Sequence, residues 1–269
     1  MDIMKAFIMG LVQGIAEFLP ISSSGHLIVI DHYLRGTGKA PFWFDILLHI
    51  ATLIVVIIFF FQEFMILVRG GLKFYKFFSE PESRFFWLIV IAVIFTVIIA
   101  ILIEPIVVNI ADVNYKLVGV FFIINSFILL LPYIIPYSVK VKSIEDISVF
   151  QSIFIGIAQG IGVFPGISRS GITISSALIV GFDRNLAGVF SFLLFIPSVI
   201  GAFIYESYKY MKVGGEVSLK FEWSYLVGFI VAIVVGYIFL SLLVRFLKEG
   251  KLYVFSIYTF ILGILVLIF

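Results

Sequence analysis

The chain has 269 residues, of which 62% are hydrophobic and only 13% are charged, and its formal net charge is +2. This composition excludes an ordinary soluble protein, a disordered chain and a basic surface built for nucleic acid, and it predicts a polytopic membrane protein. Because the chain contains no cysteine, disulfides, thiolate metal sites and a cysteine nucleophile are excluded.

The first apolar segment of the chain is interrupted. Residues 4–18 and 26–34 are apolar, and between them lies the sequence FLPISSSGH at 18–26. Neither piece alone spans a hydrocarbon core of roughly 30 Å at about 1.5 Å per residue. A re-entrant helix-loop-helix hairpin fits both pieces, and its break is expected to line a site, because non-helical backbone is tolerated at membrane depth only beside protein or water. One long kinked transmembrane helix is the alternative.

Six uninterrupted apolar segments follow, each long enough to cross the bilayer as a helix. A second interrupted segment, with FPGISRSG at 164–171, lies between the third and the fourth of them and predicts a second hairpin. The expected fold is therefore all-α, with six transmembrane helices and two re-entrant hairpins. The predicted spans are 42–66, 85–104, 116–136, 186–208, 222–246 and 252–269.

An internal repeat relates the two hairpins. When the sequence is shifted by 146 positions, residues 9–26 align with 155–172, and nine of these eighteen positions are identical. The chain then divides into repeats at 1–138 and 147–269 within one membrane domain. Because each repeat holds one hairpin and three spans, the second repeat is expected to be inverted, so that the two hairpin tips meet near the middle of the membrane.

The positive charges indicate an orientation. Seven Lys or Arg residues fall on the side of the N-terminus and ten fall on the opposite side. By the positive-inside rule, both termini are expected outside.

The two tips carry complementary polar residues. The first has an acid, a hydroxyl and an imidazole, Glu17, Ser23 and His26, whereas the second has Arg169 at the position aligned with Ser23. An Arg at bilayer depth costs about 2.5 to 3.5 kcal/mol, so it needs water, protein or an anion beside it. Each break also leads into a helix N-terminus, whose free N–H groups favour anions, and together these groups suit a phosphate. The residues expected to cap these helices or to contact the phosphate are Ser22, Ser24, Gly25, Ser168 and Ser170.

These residues also have structural interpretations. The serines can be caps and nothing more, and Gln13 either joins the site or hydrogen-bonds between helices. Glu17 either serves chemistry or locks the tips through an ion pair with Arg169. Asp45 and His49, one turn apart on the next helix, form a second tier of candidates that reach either the same cavity or the membrane interface.

Two motifs carry a resemblance to a known family. Residues 13–26, QGIAEFLPISSSGH, and 165–173, PGISRSGIT, are similar to the two signatures of the undecaprenyl-diphosphate phosphatase family, also called the bacitracin-resistance protein family. The resemblance covers essentially the whole chain. It implies an enzyme of the cell membrane, open to the outer face, that removes the terminal phosphate from a polyprenyl diphosphate and recycles the monophosphate carrier for wall or glycan synthesis.

The resemblance also implies roles for individual residues. Ser23 is expected to attack the terminal phosphorus while His26 takes its proton, or His26 activates water directly. Thr173 joins the residues expected to bind the phosphate. The expected catalytic residues are Glu17, Ser23, His26 and Arg169.

A divalent cation, Mg²⁺ or Ca²⁺, is the expected cofactor, with Glu17 and Gln13 as its ligands. The family's pattern has Glu or Gln at the first of these positions, and compared with the members that carry Glu, Gln13 leaves one anionic ligand fewer. Asp45 is the candidate to compensate for it.

Two other functions fit the same residues. Inverted repeats with broken helices are typical of secondary transporters, in which Arg169 and the helix N-termini would bind a transported anion or lipid phosphate. A lipid-binding or flipping scaffold without turnover is the third possibility. Transport does not require the hydroxyl, acid and imidazole of the first tip, which favours hydrolysis. The expected partners are the lipid substrate and membrane lipids, with a homo-oligomer left open.

Overall fold

The computed structural model describes residues 1–33, 42–113, 115–135, 138–212 and 222–269, and within these ranges the chain forms eleven α-helices. The all-α class predicted from the sequence is confirmed. In chain order the helices are α1 (Ile3–Ala16), α2 (Ser23–Tyr33), α3 (Phe42–Phe59), α4 (Phe61–Leu72), α5 (Pro81–Val113), α6 (Tyr115–Ile134), α7 (Val149–Ile161), α8 (Arg169–Ile179), α9 (Arg184–Lys212), α10 (Trp223–Lys248) and α11 (Tyr253–Ile268).

Four of these helices, α5, α6, α9 and α10, are long and apolar enough to cross a membrane, α5 over Pro81–Val107. They coincide with the second to fifth predicted spans. The sixth predicted span corresponds to α11, which is apolar but has 16 residues, about 24 Å of helix. The prediction of a polytopic membrane protein is confirmed.

The first predicted span, 42–66, is not one straight helix. α3 and α4 meet at Phe60 with a bend of 94°. α3 alone has 18 residues, or about 27 Å, and can cross most of the bilayer. The sequence turns polar at Gln62, directly after the bend, and Gly70 lets α4 lie against α5, where a Cβ on Gly70 would come 2.1 Å from a backbone carbonyl oxygen. The polar residue after the bend and the close packing of α4 on α5 therefore account for the different directions of α3 and α4.

Both predicted hairpins are present as two helices that pack on each other around a non-helical break. α1 and α2 flank the break at 17–22, and α7 and α8 flank the break at 162–168. Pro20 and Pro165 lie in these breaks and lack the N–H that a helix interior needs. Contact between the arms fits a hairpin, whereas the arms of a long kinked helix would diverge.

The first arm of each hairpin is held by a spanning helix of the other half of the chain. α1 packs on α10, where a Cβ on Gly10 would lie 2.3 Å from a carbonyl oxygen of α10. α7 packs on α5, where a Cβ on Gly156 would lie 2.3 Å from a carbonyl oxygen of α5. Such close backbone contact through small residues is typical of helix pairs in membranes. This reciprocal packing is what a repeat leads us to expect, while the boundaries 1–138 and 147–269 and the inverted topology stay predictions.

Candidate active site

The breaks of the two hairpins touch each other. The hydroxyl oxygen of Ser22, in the first break, accepts a hydrogen bond from the N–H of Gly166 in the second at 3.0 Å. Ser22 has a φ of 69° and Gly166 a φ of 101°, so both lie in the left-handed region and turn the chain sharply. A Cβ on Gly25 would lie 2.9 Å from the backbone nitrogen of Gly166. Gly25, which was predicted to cap a helix or contact the phosphate, therefore leaves room for the backbone of the opposite tip.

Glu17 lies at the centre of this contact. One carboxylate oxygen is paired with the guanidinium of Arg169. The other accepts hydrogen bonds from the hydroxyl of Ser23 at 2.6 Å and from the amide nitrogen of Gln13 at 3.1 Å. The side chain of Glu17 is 3% exposed and that of Arg169 is 28% exposed. The acid is closed in by the tips, while part of the guanidinium stays accessible.

Arg169 is fixed by the start of α8 and by an aromatic ring. Ser168 caps the helix, because its hydroxyl accepts a hydrogen bond from the N–H of Gly171 at 3.2 Å. The Cζ atom of Arg169 lies 4.5 Å from the centroid of the Phe195 ring, a cation–π contact. A guanidinium carries five N–H donors, so donors remain for a ligand beside the one that Glu17 accepts.

The other hydroxyls predicted from the second motif hold the tip together. Ser170 donates to the carbonyl oxygen of Phe18 in the first break at 3.1 Å. Thr173 donates to the carbonyl oxygen of Arg169 at 2.8 Å and shares a hydrogen bond with Ser191 of α9. Both side chains are buried, and they line a small pocket with Glu17 and Arg169 but not the large cavity beside the tips. Their hydrogen bonds give Ser170 and Thr173 a structural role, and their contact with a phosphate stays a prediction.

A cavity of about 1050 Å³ opens beside the two tips. Where the cavity meets the tips it is lined by Glu17, Arg169 and the three serines at 22–24, and a second charged group, Glu104, Glu206 and Lys209, also lines it. Its walls come mostly from α3, α5 and α9 and are largely apolar; they include Ile46, Leu53, Val93, Val97, Ile101 and Val199. The combination suits a ligand with a small anionic head and a long apolar part.

Asp45 and His49, the second-tier candidates, line the same cavity. Nε2 of His49 lies 4.0 Å from the carboxylate oxygen of Glu17 that accepts the Ser23 hydrogen bond. Nδ1 of His49 donates to the backbone carbonyl of Asp45 at 2.9 Å, which leaves the lone pair of a neutral ring on Nε2. The structure therefore places His49 close to the Glu17 oxygen that also binds the Ser23 hydroxyl.

His26 is placed differently from the expectation that it serves Ser23 as a base. Its Nδ1 donates to the backbone carbonyl of Ser22 at 2.7 Å, and its Nε2 is hydrogen-bonded to the hydroxyl of Tyr258 at 2.8 Å. Its ring also contacts Phe122 edge-on, with centroids 5.2 Å apart. Both ring nitrogens are engaged away from Ser23, and the residue does not line the cavity. His26 therefore contacts α6 and α11, whereas Ser23 is hydrogen-bonded to Glu17.

Asn125 is a site residue that the sequence reasoning missed. It lies in the middle of α6 with 0% exposure. Its amide nitrogen donates to the carbonyl oxygen of Pro20 at 3.0 Å, and its amide oxygen accepts from the N–H of Ser168 at 2.9 Å. One side chain therefore contacts the backbone of both breaks. The sequence feature that could have identified Asn125 is a polar amide in the centre of an apolar span.

The residues at the site supply only part of the coordination of a divalent cation. In the described part of the chain, no group of three or more His, Asp or Glu side chains is placed to hold one. Both carboxylate oxygens of Glu17 are engaged, and Oε1 of Gln13 is a buried oxygen without a partner. Mg²⁺ and Ca²⁺ take about six or more oxygen ligands, and Mg²⁺ is usually bound through one or two carboxylates together with waters and substrate phosphates. Glu17 and Gln13, the predicted ligands, would therefore hold a cation only together with oxygens of the substrate and of water.

Comparison with known proteins decides the family. The family model described as "Bacitracin resistance protein BacA" matches residues 6–265. The chain belongs to this family. A relative from Treponema denticola named undecaprenyl-diphosphatase is 39% identical over 98% of this chain and 96% of its own length. Relatives with the same name from Methanosphaera stadtmanae and Halothermothrix orenii are 38% and 35% identical, over 100% of this chain and 98% of theirs. The resemblance inferred from the two motifs is confirmed, and both hairpin tips lie inside the region matched by the BacA family.

Proposed function

We propose that the protein is a membrane phosphatase that hydrolyses the terminal phosphate of a polyprenyl diphosphate of the undecaprenyl type, and so returns the monophosphate carrier to wall or glycan synthesis. The observation that carries the proposal is the junction of Ser23 and Arg169 on one carboxylate, Glu17, where a cavity with largely apolar walls meets the tips. BacA-family relatives that align over nearly their full length carry the name of this activity.

The cavity accounts for the class of substrate. The accessible N–H donors of Arg169 would pair with oxygens of the terminal phosphate, a geometry that guanidinium groups favour. The apolar walls would take the first isoprene units, because burying apolar surface contributes about 25 cal/mol per Å². The rest of the tail is expected among the membrane lipids, which are the other partners of the protein.

The contacts of Ser23 suggest a covalent reaction. As its Oγ attacks the terminal phosphorus, its proton moves to the Glu17 oxygen that already accepts it at 2.6 Å, and onward to Nε2 of His49, 4.0 Å from that oxygen. The bond from phosphorus to the bridging oxygen breaks, and the polyprenyl monophosphate leaves with that oxygen. Arg169 neutralises the charge that builds on the transferred group. Water then cleaves the phosphoserine, which releases inorganic phosphate and restores the Ser23 hydroxyl.

The choice of His49 as the proton acceptor replaces the role that the sequence gave to His26. His26 keeps a place in the site through the backbone of Ser22, whose hydroxyl holds the opposite tip. Direct attack by water would use the same Glu17 and His49 pair and differs only in the absence of a phosphoserine.

We also propose that the cavity opens to the outer face of the cell membrane. Its lining comes from the first half of α3 and the last parts of α5 and α9. These ends lie on the side of the N-terminus, whose amine is paired with Glu222 at the start of α10. That side carries seven of the loop cations against ten on the other, so the positive-inside rule predicts it outside. Assembly into a homo-oligomer stays a prediction.

Release of phosphate by detergent-purified protein tests the activity. Polyprenyl diphosphates of several chain lengths are offered, and the wild-type protein is expected to release one phosphate per molecule, while Ser23→Ala releases none above background. A transporter or a lipid-binding scaffold has no reason to hydrolyse its ligand in micelles. Binding of the diphosphate without release by the wild-type protein would therefore refute the phosphatase and support one of those alternatives.

A further inference from the structure

The two tips are held together by several bonds, and most of them belong to the motifs themselves. Ser22 reaches Gly166, and Ser170 reaches Phe18. Asn125 differs because it lies on α6, outside both hairpins, and bonds to the backbone of each. α6 is itself anchored on α11 through close glycine contacts, since a Cβ on Gly263 would lie 2.6 Å from a carbonyl oxygen of α6. The amide therefore projects from a fixed support.

We propose that Asn125 is a positioning residue that sets the register between the two tips, and thereby the placement of Arg169 against Glu17. The N–H that it accepts belongs to Ser168, the residue directly before Arg169. The carbonyl to which it donates belongs to Pro20, in the same break as Glu17. A shift of either break relative to α6 breaks one of these two bonds. Asn125 therefore acts on the reaction through Arg169 and Glu17 and does not touch the reacting atoms.

The chemistry of the side chain explains why an asparagine is placed here. A carboxamide carries a donor and an acceptor side by side, so it can satisfy a carbonyl on one tip and an N–H on the other. Both backbone groups lie outside helices, and a buried group of this kind is costly to leave without a partner. An aspartate keeps the size and the acceptor but loses the donor for Pro20. An alanine loses both bonds.

The test compares Asn125→Ala and Asn125→Asp with Ser126→Ala as the matched control. Ser126 is the next residue of α6, is 2% exposed and donates within its own helix to Ile123 at 2.7 Å. The turnover of polyprenyl diphosphate is measured on folded, monodisperse protein. A displacement of the reacting groups by about 1 Å can cost 10²-fold in rate, so kcat is expected to fall roughly 10- to 100-fold in both Asn125 variants, with KM within about threefold of wild type. Ser126→Ala is expected to keep the wild-type kcat.

A double-mutant cycle shows whether the effect passes through Arg169. If it does, Asn125→Ala lowers kcat only slightly in a protein in which Arg169→Lys has already removed the guanidinium. The fold-loss in kcat of the double variant is then at least about tenfold smaller than the product of the two single fold-losses. Losses that multiply would overturn the proposal, and so would a folded Asn125→Asp with wild-type kcat. If both Asn125 variants fail to fold while Ser126→Ala folds, the residue is structural and the positioning role is overturned.

This inference rests on the proposed phosphatase activity, and the same assay separates the two. If the wild-type protein releases no phosphate, the proposed activity itself is refuted. If the wild-type protein releases phosphate and the folded Asn125 variants turn over at the wild-type rate, only the positioning role is refuted.

Discussion

Replacement of Arg169 by lysine keeps the positive charge of the site and removes the planar guanidinium. Arg169 pairs with Glu17 and lies over the ring of Phe195. A lysine ammonium cannot hold Glu17 and two phosphate oxygens in one plane, so at least one charge-assisted hydrogen bond is lost in the transition state. Such a bond contributes about 1.5 to 3 kcal/mol, and each 1.36 kcal/mol corresponds to about tenfold in rate. We therefore expect kcat/KM to fall roughly 10- to 150-fold.

The assay follows phosphate release against substrate concentration for Arg169→Lys and for a matched control, Arg245→Lys. Arg245 lies on α10 with its side chain 75% exposed and is paired only with Glu249 among the described residues. The control is expected to keep wild-type kcat/KM, because exposed ion pairs contribute little. Equal thermal unfolding of the two variants shows that both are folded. A folded Arg169→Lys protein within twofold of the wild-type value would show that the guanidinium geometry is not used.

The remaining predictions concern the nucleophile, the two histidines and the hairpin packing. Radiolabelled substrate is expected to leave a trapped phosphoserine on the wild-type protein that is absent in Ser23→Ala, and label that persists in the variant would exclude the covalent step. His49→Ala is expected to lower kcat about 100-fold or more, as loss of a general base does. His26→Gln, which can still donate to the neighbouring backbone carbonyl, is expected to retain more activity than His26→Ala; equal losses would restore His26 as the base. Gly156→Ala is expected to lower the free energy of unfolding by about 1 to 3 kcal/mol through overpacking against α5, whereas Gly201→Ala, whose Cβ would meet nothing within 4 Å, is expected to leave the melting temperature unchanged or raised.

The parts of the fold that could be predicted from the sequence are those that length and polarity decide. An apolar piece of fifteen residues or fewer, next to a break with Pro and Ser, is too short to cross the bilayer alone, which favours a hairpin over one long kinked helix. The approach of Glu17 and Arg169 followed from the repeat, because the two breaks that carry them were expected to meet near the middle of the membrane. Their ion pair and the Ser23 bond on the same carboxylate are present in the structure.

The parts that could not be predicted depend on contacts between residues far apart in the chain. The ring of His26 is oriented by a hydrogen bond to Tyr258, which lies 232 positions further along the chain. No local sequence pattern predicts this contact. The bend at Phe60 likewise depends on α4 packing against α5. Asn125 was visible as a polar residue in a span, but its two partners are backbone groups, which carry no side-chain signature in the sequence.

The packing of the hairpins bears on the choice between hydrolysis and transport. A transporter with inverted repeats exposes its site to the two sides of the membrane in turn, so one bundle must move against the other. Here each first arm is in backbone contact with a spanning helix of the opposite half, at Gly10 and at Gly156, and motion of either tip would separate these surfaces. Asn125 adds hydrogen bonds from a third helix to both tips. A site that stabilises charge during phosphoryl transfer gains from such fixed placement, because its groups need no reorganisation when the bond breaks. The rigid junction of the tips therefore favours a phosphatase over a carrier.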